Sequence, residues 1–162
     1  MILTLNPTNK TDQKMKSVTN VIRVKAPAEK LWKVLTQSEH TKKYMFGCEV
    51  ITDWKPGSSV IWRGQYEGAS VDFVTGFVLE IQPNVKLKYS VIDPNAVYPK
   101  TPENHLNVTY LLNEVNGETE FTVVQDGFEN AADGEKRYTE VSNNGEGWNP
   151  ILMEIHKIAE EI

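Results

Sequence analysis

From Gly47 to about Asp126 the apolar residues of this chain recur with a period of two, and that long alternating stretch constrains the fold more than any other feature. Alternation at this period builds strands with one apolar and one polar side, and the apolar side of such a sheet must be covered by something else. The register can be counted in one place. Asn116-Gly117 stands between two alternating runs and favours a two-residue type I′ turn. With Val115 facing Glu118, Leu112 lies opposite Phe121 and Tyr110 opposite Val123, an apolar face, while Asn113 opposite Glu120 marks the solvated one. Upstream, Val50, Thr52 and Trp54 run into the turn Lys55-Pro56-Gly57-Ser58, and Val60 and Trp62 return from it, a second hairpin. The next strand is expected over Val71 to Ile81, with its bulky odd positions Val71, Phe73, Phe77, Leu79 and Ile81 on one face. Pro83-Asn84 ends it, Leu87, Tyr89 and Val91 alternate beyond, and Tyr98 to Asn104, with Pro99 and Pro102, reads as a loop.

Helical periods flank the sheet on both sides. Val18, Asn20, Ile22 and Val24 share one side of an opening strand, after which Ala26-Pro27-Ala28-Glu29 starts a helix carrying Leu31, Trp32, Val34 and Leu35 at helical spacing. A second helical turn is predicted from Ser38 to Tyr44. At the other end Trp148, Ile151, Leu152, Ile155, Ile158, Ala159 and Ile162 form one apolar stripe, with Glu154, Lys157 and Glu161 opposite. This helix supplies the cover that the sheet requires. Its pattern reaches back to Gly134-Glu135, but Asn143-Asn144-Gly145-Glu146-Gly147 and Pro150 are poor helix-interior residues, so a break is expected there. Residues 1–16 carry no hydrophobic period and read as a flexible arm, leaving 17–162 as a single α+β domain.

The chain has 162 residues and a net charge of −5, a field that repels nucleic-acid phosphates rather than collecting them, so no nucleic-acid partner is expected. Its one cysteine, Cys48, has no partner for an internal disulfide, which fits a reducing cytoplasm. No apolar run is long enough to span a membrane, and the opening Met1-Ile2-Leu3-Thr4-Leu5 turns polar too soon for a secretory signal.

The order strand, two short helices, six antiparallel strands and a long C-terminal helix resembles the helix-grip fold of the START and birch-pollen-allergen superfamily. Ile22-Arg23-Val24-Lys25-Ala26-Pro27-Ala28-Glu29-Lys30-Leu31-Trp32 resembles the opening of one branch, the activator-of-heat-shock-chaperone-ATPase homologue family. Trp54-Lys55-Pro56-Gly57 with Trp62, the strand Thr119 to Val124 followed by Asp126-Gly127-Phe128, and Gly147-Trp148 followed by Leu152 are similar to later landmarks of that family. The resemblance implies a curved antiparallel sheet wrapped around the C-terminal helix, with a cavity between them that the superfamily uses for apolar molecules. It also implies a chaperone or other protein as an alternative partner.

Inward-facing aromatics are the candidate ligand-binding residues, because a small-molecule site needs apolar walls and few polar groups. The alternation places Trp62, Phe73, Phe77, Tyr89, Tyr110, Phe121 and Trp148 towards the helix, with Leu152 and Ile155 facing them from it. Each of these residues also has a plain core-packing role available. The buried hydroxyls of Tyr89 and Tyr110 need partners, with backbone, water or a ligand's carbonyl or hydroxyl as candidates. His40, His105 and His156 are too scattered to converge on a metal. Gly64, Gly68 and Gly76 have no helix after them to cradle a phosphate, no Ser-His-Asp arrangement is present, and no cofactor is expected. The expectation is a binding protein for a small apolar or amphipathic molecule rather than an enzyme. A protein-interaction domain of the cochaperone kind is the alternative, and a cyclase or hydrolase using a pocket tyrosine or histidine is a third possibility.

Overall fold

A computed structural model describes residues 16–162. The arm expected over 1–16 lies outside the described residues except for Lys16. Strand β1 (Val18–Val24) leads into helices α1 (Ala28–Thr36) and α2 (Ser38–Tyr44). Six strands follow: β2 (Glu49–Ile51), β3 (Ser59–Tyr66), β4 (Ala69–Gln82), β5 (Lys86–Val91), β6 (Leu106–Val115) and β7 (Glu118–Asp126). Helices α3 (Gly134–Ser142) and α4 (Asn149–Glu161) close the chain. The strands form one antiparallel sheet in the order β1-β7-β6-β5-β4-β3-β2, so β1 reaches β7 and the helices α1 and α2 carry the chain to the far edge.

The β6–β7 hairpin has the register its turn dictates: Val115 pairs with Glu118, Leu112 with Phe121, and Tyr110 with Val123. Asn116 and Gly117 both take the positive φ that a type I′ turn requires, 54° and 80°. Helix α1 begins after Pro27, whose ring has no acceptor to cap it. The cap comes from the sheet instead, where the Glu114 carboxylate of β6 accepts the Ala28 backbone N–H at 2.7 Å, an anion at the positive end of the helix dipole.

The expected break before the last helix is present. Helix α3 ends at Ser142, a 3₁₀ turn spans Asn143–Gly145, and Pro150 sits in the first turn of α4, where its missing N–H would have had no partner. Asn20 of β1 fixes the start of α4: its side-chain oxygen accepts the Trp148 backbone N–H at 2.9 Å and its amide donates to the Glu146 carbonyl at 3.0 Å. Leu152, Ile155, Ile158 and Ala159 of α4 are buried, and the helix packs against β1, α1 and α2. Ile162, the last member of the predicted stripe, is exposed.

Strand β4 departs from simple alternation. Trp62 pairs with Val74 but Arg63 pairs with Asp72, leaving Phe73 as an extra residue, and Val78 pairs with Tyr89 but Glu80 with Lys88, leaving Leu79 as another. Each bulge exchanges the inward and outward phases. Between them the even positions face inward, so Val78 is fully buried while Phe77 is 47% exposed and Leu79 is also on the outside. Beyond the second bulge Ile81, opposite the buried Leu87, packs on the core again.

Gly76 lies between the two bulges against β5. A Cβ there would fall on the carbonyl oxygen of Ser90, whose hydroxyl accepts the Phe77 backbone N–H at 3.0 Å. The expected outcome of Gly76→Ala is a loss of about 2–3 kcal/mol as the strands are forced apart, read by denaturant unfolding, whereas Gly68→Ala at an open turn should cost about 1 kcal/mol through its positive φ alone.

Candidate functional site

One cross-strand row builds the floor of the site. Val78, Tyr89, Val108, Gln125 and Val18 are successive partners across β4, β5, β6, β7 and β1, and all five are buried. Four are apolar or aromatic, and Gln125 is the amide among them, 6% exposed at an inward-facing position of β7. Above Tyr89, Val108 and Gln125 lies a cavity of about 400 Å³.

Its walls come from three places. Trp62 and Val74, themselves a cross-strand pair, stand on one side, with the bulged Phe73 beside them. Trp148, at the residue where α4 begins, stands on another. The connection after α2 supplies Met45, Phe46 and Cys48. There Phe46 (φ 53°) and Gly47 (φ 81°) turn through the left-handed region, which leaves Phe46 85% exposed at the mouth. No lining residue carries a formal charge at neutral pH, and burial pushes the Cys48 thiol above its ordinary value.

Of the nine residues expected at the site, Trp62, Phe73, Tyr89 and Trp148 line the cavity. Tyr110, Phe121, Leu152 and Ile155 are fully buried behind it and fill the space as packed core. The rings are continuous: Trp62 lies 6.1 Å from Tyr89, Tyr89 5.4 Å from Tyr110, and Tyr110 5.5 Å from Phe121 and 6.1 Å from Trp148, the last three edge-to-face. Phe77 is the correction. The two bulges of β4 turn it to the outer face, where it lies against His105 at 6.1 Å.

The tyrosine hydroxyls also find a partner that the alternation does not suggest, namely each other, at 2.7 Å. Tyr44 joins this buried group and donates its hydroxyl to the Val34 carbonyl at 3.0 Å. Burial raises the ionisation of all three phenols above the ordinary range, and for Tyr89 and Tyr44 a neighbouring phenol adds to the rise. His40, His105 and His156 lie on α2, before β6 and on α4, and among the described residues no three His, Cys, Asp or Glu side chains stand close enough to hold a metal ion. Sequence reasoning overlooked Gln125, Val108, Val74, Val91 and the Met45–Cys48 connection. Gln125 did carry a signal, since counting from the hairpin puts it in the apolar phase of Phe121 and Val123, where an amide is out of place.

A curved antiparallel sheet closed by a C-terminal helix over an apolar cavity defines the helix-grip class of α+β protein. The family model described as Activator of Hsp90 ATPase homolog 1-like protein matches residues 25–160, and the chain belongs to that family. A protein of Cytophaga hutchinsonii with a known solution structure is 32% identical, with a TM-score of 0.69 over 90% of this chain and 94% of that one. An HSP90 activator from Plasmodium falciparum shares the fold at 18% identity, with a TM-score of 0.64 over 88% of this chain and 94% of its own. The Aha1 dimer from Colwellia psychrerythraea does so at 17% identity, with a TM-score of 0.63 over 91% and 98%. No curated protein matches the chain. No helix among the described residues is long and apolar enough to cross a membrane.

Removing one hydroxyl of the buried tyrosine pair strands the other. Tyr89→Phe and Tyr110→Phe are each expected to cost about 1–2 kcal/mol, and the double variant less than their sum, in a denaturant double-mutant cycle. Because folded-state ionisation of Tyr44, Tyr89 and Tyr110 is raised, the stability they confer is complete below the unfolded phenol value of about 10 and is lost as pH climbs through the folded values. Phenolate absorbance should therefore show three of the six tyrosines titrating only as the protein unfolds.

Proposed function

We propose that this protein binds a small apolar or amphipathic molecule in the cavity above Tyr89, Val108 and Gln125, without a chemical step, in a reducing cytoplasm. The observation that carries the reading is the cavity itself, about 400 Å³ bounded mainly by aromatic and aliphatic side chains. A fully packed core leaves few voids larger than a water, and an engineered apolar cavity of about 150 Å³ already admits benzene. The space here suits a ligand of two or three rings or an equivalent chain. Burial supplies the affinity: removing about 200 Å² of apolar ligand surface from water contributes about 5 kcal/mol before the costs of association.

A second reading, a protein-interaction domain of the cochaperone kind, is favoured by the family and by Phe46, an aromatic exposed beside the mouth. It uses the outer rim rather than the interior. The two readings part in one measurement. Native mass spectrometry of freshly purified protein is expected to show an adduct that denaturation releases, and bare protein that also fails to bind an apolar dye would move the weight to the second reading. Filling the cavity tests the same point. Val74→Phe should weaken dye binding at least tenfold while the circular dichroism spectrum is retained, whereas Phe46→Ser, at the mouth, should abolish any partner capture and weaken dye binding less than Val74→Phe does.

A further inference from the structure

The polar groups that reach this cavity are unequal in kind. Trp148 Nε1 donates to Gln125 Oε1 at 2.8 Å. An indole N–H can only donate, so the oxygen of the amide must be the atom facing it, and the Gln125 NH₂ group is turned the other way. That NH₂ has no acceptor among the described residues, although the side chain is more than nine-tenths buried and lines the cavity. The tyrosine pair has the same surplus. One of the two hydroxyl protons lies in the 2.7 Å contact and the other has no acceptor among the described residues; when Tyr110 donates, the free proton belongs to Tyr89, the member that lines the cavity. Trp62, a third lining residue, also has an indole N–H with no acceptor among the described residues; like the Gln125 NH₂ it is open to the cavity rather than sealed from solvent.

The lining thus holds unspent donors, while its amide acceptor is already engaged by Trp148. It contains no Lys, Arg or His to neutralise an anion and no Asp or Glu to hold a cation. A donor that a ligand cuts off from solvent without replacing its hydrogen bond costs free energy, and a charge buried in the same way without a partner costs more. Tyr89 and Gln125 are separated on the floor by Val108 alone, two strand spacings or about 10 Å apart, within the span of one two-ring ligand.

We propose that the ligand is a neutral, largely apolar molecule bearing a hydrogen-bond acceptor, a ketone or similar carbonyl oxygen, which accepts from the Gln125 amide or the Tyr89 hydroxyl at the cavity floor. The cavity selects against carboxylates of the same skeleton. This inference rests on the ligand-binding reading and adds the chemistry of the ligand to it.

The test is a matched set of three probes titrated against the full chain by tryptophan fluorescence: 2-acetylnaphthalene, its hydrocarbon isostere 2-isopropenylnaphthalene, and 2-naphthoate. The ketone is expected to bind about tenfold more tightly than the isostere, with the carboxylate weakest. Gln125→Met keeps the length of the side chain but removes the amide donor, and together with Tyr89→Phe it should erase most of the ketone's advantage while hydrocarbon binding persists. The infrared carbonyl stretch of the bound ketone needs no variant and should lie below its position in hexane. Equal affinity of ketone and isostere, with an unshifted carbonyl band, would overturn the donor assignment and leave a purely apolar binding site. Failure of all three probes to bind would overturn the ligand-binding reading together with it.

Discussion

The inner face of the sheet is wider than the one long helix can cover, and the rest of the architecture answers that mismatch. Seven strands at the usual spacing span about 29 Å, while the thirteen residues of α4 make a rod of about 20 Å that covers a strip about 10 Å wide. Whichever way the rod runs, part of the apolar face remains to be covered. Helices α1 and α2 take some of it, and Leu31, Val34 and Leu35 are buried accordingly. Tyr110 and Phe121 fill the space on β6 and β7. What is left, over Trp62, Val74, Tyr89, Val108 and Gln125 on β3 to β7, is roofed by the connection after α2 and by Trp148, and there the packing stops short of closure. The cavity is therefore where coverage runs out, and it reaches from Trp62 of β3 across the sheet to Gln125 of β7.

Position along the chain controls how sharply that boundary is drawn. Trp148 forms part of the cavity wall because Asn20 holds its backbone and Gln125 holds its ring, so two strands at one end of the sheet determine where α4 begins. Gly147 makes this possible. Its φ is 55°, and a Cβ there would collide with the Asn20 side chain and Val18, so the chain passes closer to β1 than any other residue would allow. The Gly-Trp pair acts as a joint, and the hydrogen bonds on either side of it couple the start of the helix to the cavity floor.

Much of the fold could be read from the sequence because its strongest signals are local. A type I′ turn specifies its own register, so counting from Asn116-Gly117 gives the β6–β7 pairing residue by residue. The apolar stripe of α4 and the break before it follow from residue types within a few turns. Strand β4 defeats such counting because a bulge is a relation between two strands and leaves little trace in either one. Phe73, Phe77 and Leu79 look like one face only if the phase is constant, and the pairing with β3 and β5 changes that phase twice. Phe77 consequently stands on the outer surface, and Val74, on an even position that the alternation assigns to the polar face, lines the cavity.

The division of the expected site residues follows from the same geometry. An inward direction is a property of the strand and can be counted, but whether an inward side chain meets a neighbour or a void depends on which helix lies over it, and that is a long-range fact. Tyr89 and Tyr110 show the difference most clearly. Both point inward from adjacent strands and they share one hydrogen bond, yet Tyr110 is enclosed by Phe121 and Trp148 while Tyr89 borders open space. The pair thus spans the boundary between core and site. Its buried half is held by packing, its outer half borders the cavity, and a change in either hydroxyl is felt by the other across 2.7 Å.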